Sequence, residues 1–161
     1  MKSSYHKRNQ ISLYVLSAAY HVKVEMKSIL KSCIKGGFFM DLIEQTKHLK
    51  KHLDILKDKY EKNEPPESIS DKPFFLNMKE ETAPIYDLLE AWEEQALAFV
   101  QDRDVNVHPH QIVSTAENME LIILHSYYVD ARRKRYMELN HSSHFIFDQL
   151  LDELNNTKRE K

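Results

Sequence analysis

The sequence predicts an all-α protein: an up-and-down four-helix bundle with a basic N-terminal extension outside its core. Three observations predict it. The chain of 161 residues is long enough to bury one adequate core as a single domain. Its two glycines are adjacent, Gly36 and Gly37, so no Asn-Gly or Asp-Gly hairpin turn exists after them. Apolar residues also recur at three- and four-residue spacing in four separate stretches.

Charge divides the chain before any helix is placed. Residues 1–39 hold seven Lys/Arg against one acidic residue, Glu25, a net of +6. Residues 40–161 hold sixteen Lys/Arg against twenty-four Asp/Glu, a net of −8. A break of that size assigns 1–39 to an extension and 40–161 to the bundle. Residues 11–34 carry a loose helical pattern, and a secretory signal is disfavoured because Ser12 and Ser17 interrupt its apolar core.

The first helix is expected over about 41–61, where Leu42, Thr46, Leu49, Leu53, Leu56 and Tyr60 form a heptad seam. The segment "EKNEPPESISDKP" (61–73) ends it, since adjacent prolines exclude a regular helix. The second helix is expected over about 83–103, with Thr82 as N-cap and Pro84 in the first turn. A short turn near 74–81 precedes it, and its stripe is Ile85, Leu88, Leu89, Trp92, Ala96, Phe99 and Val100. Trp92 reads as core, with an indole N–H that needs a polar neighbour. Pro109 opens the third helix, expected over about 109–137 and apolar on more than one face. "NHSSH" (140–144) reads as a joint, and a fourth helix over about 142–157 carries Phe145, Phe147, Leu150, Leu151 and Leu154. Four similar helices, each with one apolar stripe, pack most economically as an up-down-up-down bundle.

Three stretches carry a family resemblance: "AWEEQAL" around Trp92, "HPHQI" opening the third helix, and "MELIILHSYYVDARRKRY". From Met40 to about Glu153 the chain resembles the YppE-like family of small bacterial proteins. The resemblance implies a left-handed four-helix bundle, a cytoplasmic protein, and bacteria of the Bacillus and Listeria type. It assigns no catalytic residue that can be carried over. Family members begin near Met40, where the charge break and the glycine pair also fall. Lys35-Gly36-Gly37 can be encoded by a ribosome-binding sequence, so two readings of 1–39 stay open: a translated leader ahead of an initiator at Met40, or an attached helix.

The chemistry-bearing candidates are few. Cys33 is the lone cysteine, which excludes an intramolecular disulfide and a thiolate metal cluster within one chain. His48 and His52 lie four apart with Glu44 one turn earlier, but without the glutamate that H-E-x-x-H places between its histidines. His108 and His110 flank Pro109 at a helix start, where capping is the ordinary role. No metal site and no cofactor is expected.

Tyr127, Tyr128, Arg132, Arg133 and Arg135 form the densest polar-aromatic group, near the end of the third helix. Guanidinium groups recognise carboxylates and phosphates, so these residues are the candidate partner- or anion-binding surface. The structural reading has basic residues late in a helix complementing its dipole, with Asp130 paired to Lys134. The expected function is a non-enzymatic binding or regulatory protein whose partner is another protein or a second copy. A small-molecule or metal-dependent enzyme with a pocket inside the bundle is the alternative. Weak nucleic-acid binding through Arg132–Arg135 is a further one, disfavoured by the −8 charge. No stretch approaches the ~18 apolar residues of a membrane span, so no membrane role is expected.

Overall fold

The computed structural model describes residues 41–64, 66–68, 71–101 and 105–159. The chain divides into two units between Phe39 and Met40. Residues 1–39, read above as a basic extension, lie outside the described residues. The second unit contains four helices: α1 Leu42–Lys62, α2 Lys72–Gln101, α3 Pro109–Tyr128 and α4 Arg133–Arg159. Successive helices pack on one another, α4 closes back onto α1, and α1 also meets α3 across the diagonal. The run is up-down-up-down. Thr46 meets Trp92 while Lys59 meets Glu81, so α1 and α2 are antiparallel. Tyr60 stacks on Tyr136 while Lys50 pairs with Asp148, so α1 and α4 are antiparallel as well.

The seam of α1 packs as its spacing requires. Leu49, Leu53 and Leu56 are fully buried, each contributing about 1.5–3 kcal/mol of apolar transfer. Thr46 is buried too, and its hydroxyl donates to the Leu42 carbonyl at 2.7 Å. Lys59 and Lys62 stand in the last turn, where cations suit the dipole.

Helix α2 departs from expectation at its start. It begins at Lys72 rather than near 83, and Pro84 lies inside it. The cap is Asp71, whose carboxylate accepts the Phe74 N–H at 3.1 Å, and Pro73 occupies the first turn. Thr82 is not a cap: it is buried and donates its hydroxyl to the Met78 carbonyl at 2.8 Å. An interior proline disfavours a helix by about 3 kcal/mol. Met78 and Phe74 before it, and Ile85 and Leu89 after it, belong to one packed stripe, and their burial outweighs that penalty.

Helix α3 opens as expected at Pro109, with the His108 N–H donating to Gln111 Oε1 at 2.8 Å. It then stops at Tyr128, well before 137, because Val129 turns into the left-handed region (φ 50°, ψ 36°). The joint lies at 129–132, and "NHSSH" is not a joint but the middle of α4. Asn140 and Ser143 are buried there: Ser143 donates to the Leu139 carbonyl and Asn140 reaches the Leu53 carbonyl. The buried face of α4 runs Tyr136, Leu139, Asn140, Ser143, Ile146, Phe147, Leu150 and Leu154. Phe145, expected in the core, is 59% exposed on another face.

Trp92 sits where α1, α2 and α4 share one layer. It is fully buried, its indole N–H donates to Thr46 Oγ1 at 3.0 Å, and its ring meets Phe147 edge-on at 5.0 Å. The large exposed apolar side chains Ile55, Leu76, Val113 and Phe145 fall on four different helices and form no single stripe. No described helix is long and apolar enough to cross a membrane.

Candidate functional site

Polar and aromatic groups converge at the end of the bundle where α1 and α3 finish and α2 and α4 start. Tyr60 and Tyr136 stack face to face, 3.9 Å apart and 6° from parallel. The Tyr136 hydroxyl shares a 2.8 Å hydrogen bond with the Ser126 hydroxyl, and burial pushes the phenol up to about 12. The Tyr60 hydroxyl donates to the Ala131 carbonyl at 2.8 Å, tying α1 to the joint. Asn63 donates to the Ser126 carbonyl at 3.1 Å. An open depression of about 430 Å³ lies beside these groups, lined by Tyr60, Glu61, Asn63, Val129 and Arg133.

A second cluster joins three helices. Tyr127 donates its hydroxyl to Glu81 Oε2 at 2.7 Å, and the Lys59 ammonium reaches the same oxygen at 3.1 Å. That ammonium also stands 3.8 Å from the centre of the Tyr127 ring, a cation–π contact. Asn77 donates to Glu81 Oε1 at 2.8 Å. The Tyr127 hydrogen bond, then Lys59, hold the Glu81 carboxyl below its usual range. Burial first, then Glu81, push the Tyr127 phenol far up.

The joint has its own clamp. His125 Nδ1 and Asp130 Oδ1 lie 2.6 Å apart, and the Val129 N–H donates to the His125 carbonyl at 3.0 Å. Burial raises the Asp130 carboxyl, but the hydrogen bond and charge of His125 outweigh it and leave the group below its usual range. The expected Asp130–Lys134 pair is therefore replaced by Asp130–His125, since the helix that would have set it is broken.

The five residues of the candidate surface divide in two. Tyr127 and Tyr128 are buried, at 6% and 7% exposure, and Tyr128 packs edge-on against Phe74 at 5.3 Å. Neither can belong to an exposed contact face. Arg132, Arg133 and Arg135 are exposed, together with Lys134. They do not end α3, where they would complement its dipole; they open α4, at the end that disfavours cations. Arg133 pairs with Glu61 at 3.1 Å. Arg132, Lys134 and Arg135 have no acidic partner among the described residues. Sequence reading missed Lys59, Asn77, Glu81 and Tyr136 as members of this end, because Lys59–Glu81 and Tyr127–Glu81 are 22 and 46 residues apart.

The histidine candidates are placed apart from this end. Glu44 pairs with Lys47 at 2.8 Å, not with a histidine. Burial, then His48 and Lys51, push the His52 imidazole down. His108 and His110 lie with rings nearly parallel, 6.1 Å apart. No group of three or more His, Cys, Asp or Glu is placed to hold a metal ion among the described residues.

These shifts fix the expected pH profile. His52 and His144, both lowered chiefly by burial, bind protons more readily when unfolded, so stability falls as pH drops below about 6.5. Asp130 and Glu81 are lowered in the fold, so a second loss follows as pH falls below about 4. Tyr86, Tyr127, Tyr128 and Tyr136 are raised, mainly by burial, so stability falls again above about pH 10, where the unfolded phenols ionise. Urea midpoints measured across pH should trace a plateau between about 7 and 9 with losses on both sides. A profile flat from pH 5 to 7 would contradict the histidine assignment.

Comparison with known proteins gives the fold its relatives. The structure is similar to the crystal structure of YppE from Bacillus subtilis, with TM-score 0.62 and 21% identity over 73% of this chain and 95% of that one. The solution structure of the same protein gives TM-score 0.57 and 23% identity, covering 72% and 94%. A protein of unknown function from Listeria innocua gives TM-score 0.57 and 17% identity, covering 74% and 95%. At these identities the likeness establishes the fold. No curated protein matches. A family model described as a bacterial domain of unknown function, DUF1798, matches residues 46–154, and the chain belongs to that family.

Proposed function

We propose that this chain is a cytoplasmic, non-enzymatic binding protein that holds an acidic protein segment on the basic start of α4. The observation that carries the reading is the run Arg132–Arg135: four consecutive exposed cations, three of them without an acidic partner among the described residues, on a unit of net charge −8. Their position at a helix N-terminus works against folding by about 0.3–1 kcal/mol each. Residues that oppose the local electrostatics of their own helix point to a demand outside it. Guanidinium groups meet carboxylates in bidentate pairs, which suits an acidic segment. A nucleic acid would need more neutralised phosphates than four side chains supply, and the remaining surface repels it.

The interior supports a binding role over catalysis. The hydroxyls of Thr46, Thr82, Thr115, Ser126 and Ser143 each donate to the carbonyl four residues earlier. Such hydroxyls are committed to the helix and are not poised as nucleophiles.

The test compares the full chain with the Arg132→Ala/Arg135→Ala variant, using an acidic Glu/Asp peptide and a single-stranded oligonucleotide of equal charge. The peptide should bind in low salt, and the variant should bind it at least about fivefold more weakly, as two charge-assisted contacts are lost. The variant should also melt no lower than the parent, since it removes cations from a positive helix end. Equal peptide binding by both proteins, or binding of the oligonucleotide alone, would overturn the reading.

A further inference from the structure

The α3–α4 joint is four residues, 129–132, and contains neither glycine nor proline. Val129 is its turning point and the one non-glycine residue with positive φ among those described. A β-branched side chain is crowded there by its own backbone. Three residues on, the four cations Arg132–Arg135 stand at the positive end of α4. The closed joint is thus disfavoured twice by backbone and dipole, and it persists because side-chain contacts hold it: from α1, Tyr60 on the Ala131 carbonyl and Asn63 on the Ser126 carbonyl, and, across the joint, His125 on Asp130.

Both penalties vanish if residues 129–132 turn helical and α3 runs straight into α4. The result is one rod from 109 to 159, about 75 Å long. Ala131 and Arg132 are strong helix formers. Asp130 would leave His125, which lies five residues away and off its helix face, and gain Lys134 four residues ahead in the favourable order. The cations would move from a helix start to a helix middle, away from the dipole.

Straightening within one chain forfeits the packing of α4: Tyr136 on Tyr60, Asp148 on Lys50, Phe147 against Trp92. A second copy with the same joint opened supplies those surfaces unchanged. We propose that the Val129 joint is a hinge through which two copies of this chain exchange α4, each completing the other's bundle in a closed two-fold dimer. The occupant of the vacated groove is the α4 of the second copy, because that helix already fits it residue for residue. The opened rod removes strain that the monomer keeps, and protein concentration decides between the two forms.

The experiment refolds the full chain from denaturant at high and at low protein concentration, and reads mass by size-exclusion chromatography with light scattering. The parent should give a dimer at high concentration that persists after dilution, because release requires α4 to leave a packed core. Val129→Gly, which makes the left-handed residue comfortable and the helical rod less so, should lower the dimer-to-monomer ratio at least about tenfold. His125→Ala, which removes the clamp and leaves Asp130 free for Lys134, should raise it at least about threefold. If His125→Ala lacks helical circular dichroism, Val129→Gly against the parent decides alone. The same ratio in parent and Val129→Gly, monomer under every condition, or a dimer that dissociates at once on dilution would overturn the proposal.

Discussion

Trp92→Ala is expected to lower the unfolding free energy by about 3–5 kcal/mol, a large share of the ~5–15 kcal/mol that holds a domain of this kind. The indole is fully buried, meets Phe147 edge-on and donates to Thr46, so its removal leaves a void in the layer that α1, α2 and α4 share. Trp92→Phe should lose far less, about 1–2 kcal/mol. It keeps the ring contact, and Thr46 still has the Leu42 carbonyl for its own hydroxyl. Urea unfolding followed by far-UV circular dichroism separates the two, and a loss below about 1 kcal/mol for the alanine variant would show that the layer is not central. Trp92 is the sole tryptophan, so its emission in the parent reports on this layer directly.

Pro84→Ala is expected to act in the opposite direction, raising stability by about 1–3 kcal/mol. Pro84 is exposed inside a 30-residue helix, and its ring denies the Glu80 carbonyl a partner that alanine would provide. For a chain of this size each kcal/mol shifts the melting temperature by roughly 2–4 °C. An unchanged or lower melting temperature would mean that the backbone around Pro84 is shaped to its ring and cannot accept a straight helix.

Proline 84 also shows where local reading stops. Its natural place is the first turn of a helix, and Thr82 just before it is a good cap by residue type. The true signal was eleven residues upstream, in Asp71 and Pro73, where a cap and a first-turn proline stand together. Nothing local distinguishes the two starts. The difference is made by Met78 and Thr82, whose burial against neighbouring helices pulls the segment before the proline into the same helix.

The joint between α3 and α4 was hidden for the opposite reason. "SYYVDARRKRY" has no breaker, so the pattern runs on, while "NHSSH" is rich in capping residues and invites a break. The structure reverses both because of packing partners, several of them far away in the chain. Tyr136 must stack on Tyr60 and reach Ser126, which a straight helix would prevent. Asn140 and Ser143 satisfy their polar atoms on nearby carbonyls, so the helix carries them through the core. The same reversal moved the arginines from the end of one helix to the start of another. That move changed their electrostatic meaning and took Tyr127 and Tyr128 off the surface.

By itself the sequence determined the helical class, the seam of α1, the start of α3 at Pro109 and the core place of Trp92. Each follows from periodicity or from one residue's backbone chemistry, which act within a turn or two. Only the tertiary structure decided the start of α2, the Val129 joint, the Lys59–Glu81–Tyr127 cluster and the exposed basic start of α4. Those depend on burial and hydrogen bonds between residues far apart in the chain, and such contacts exceed a few kcal/mol of local preference once the helices pack.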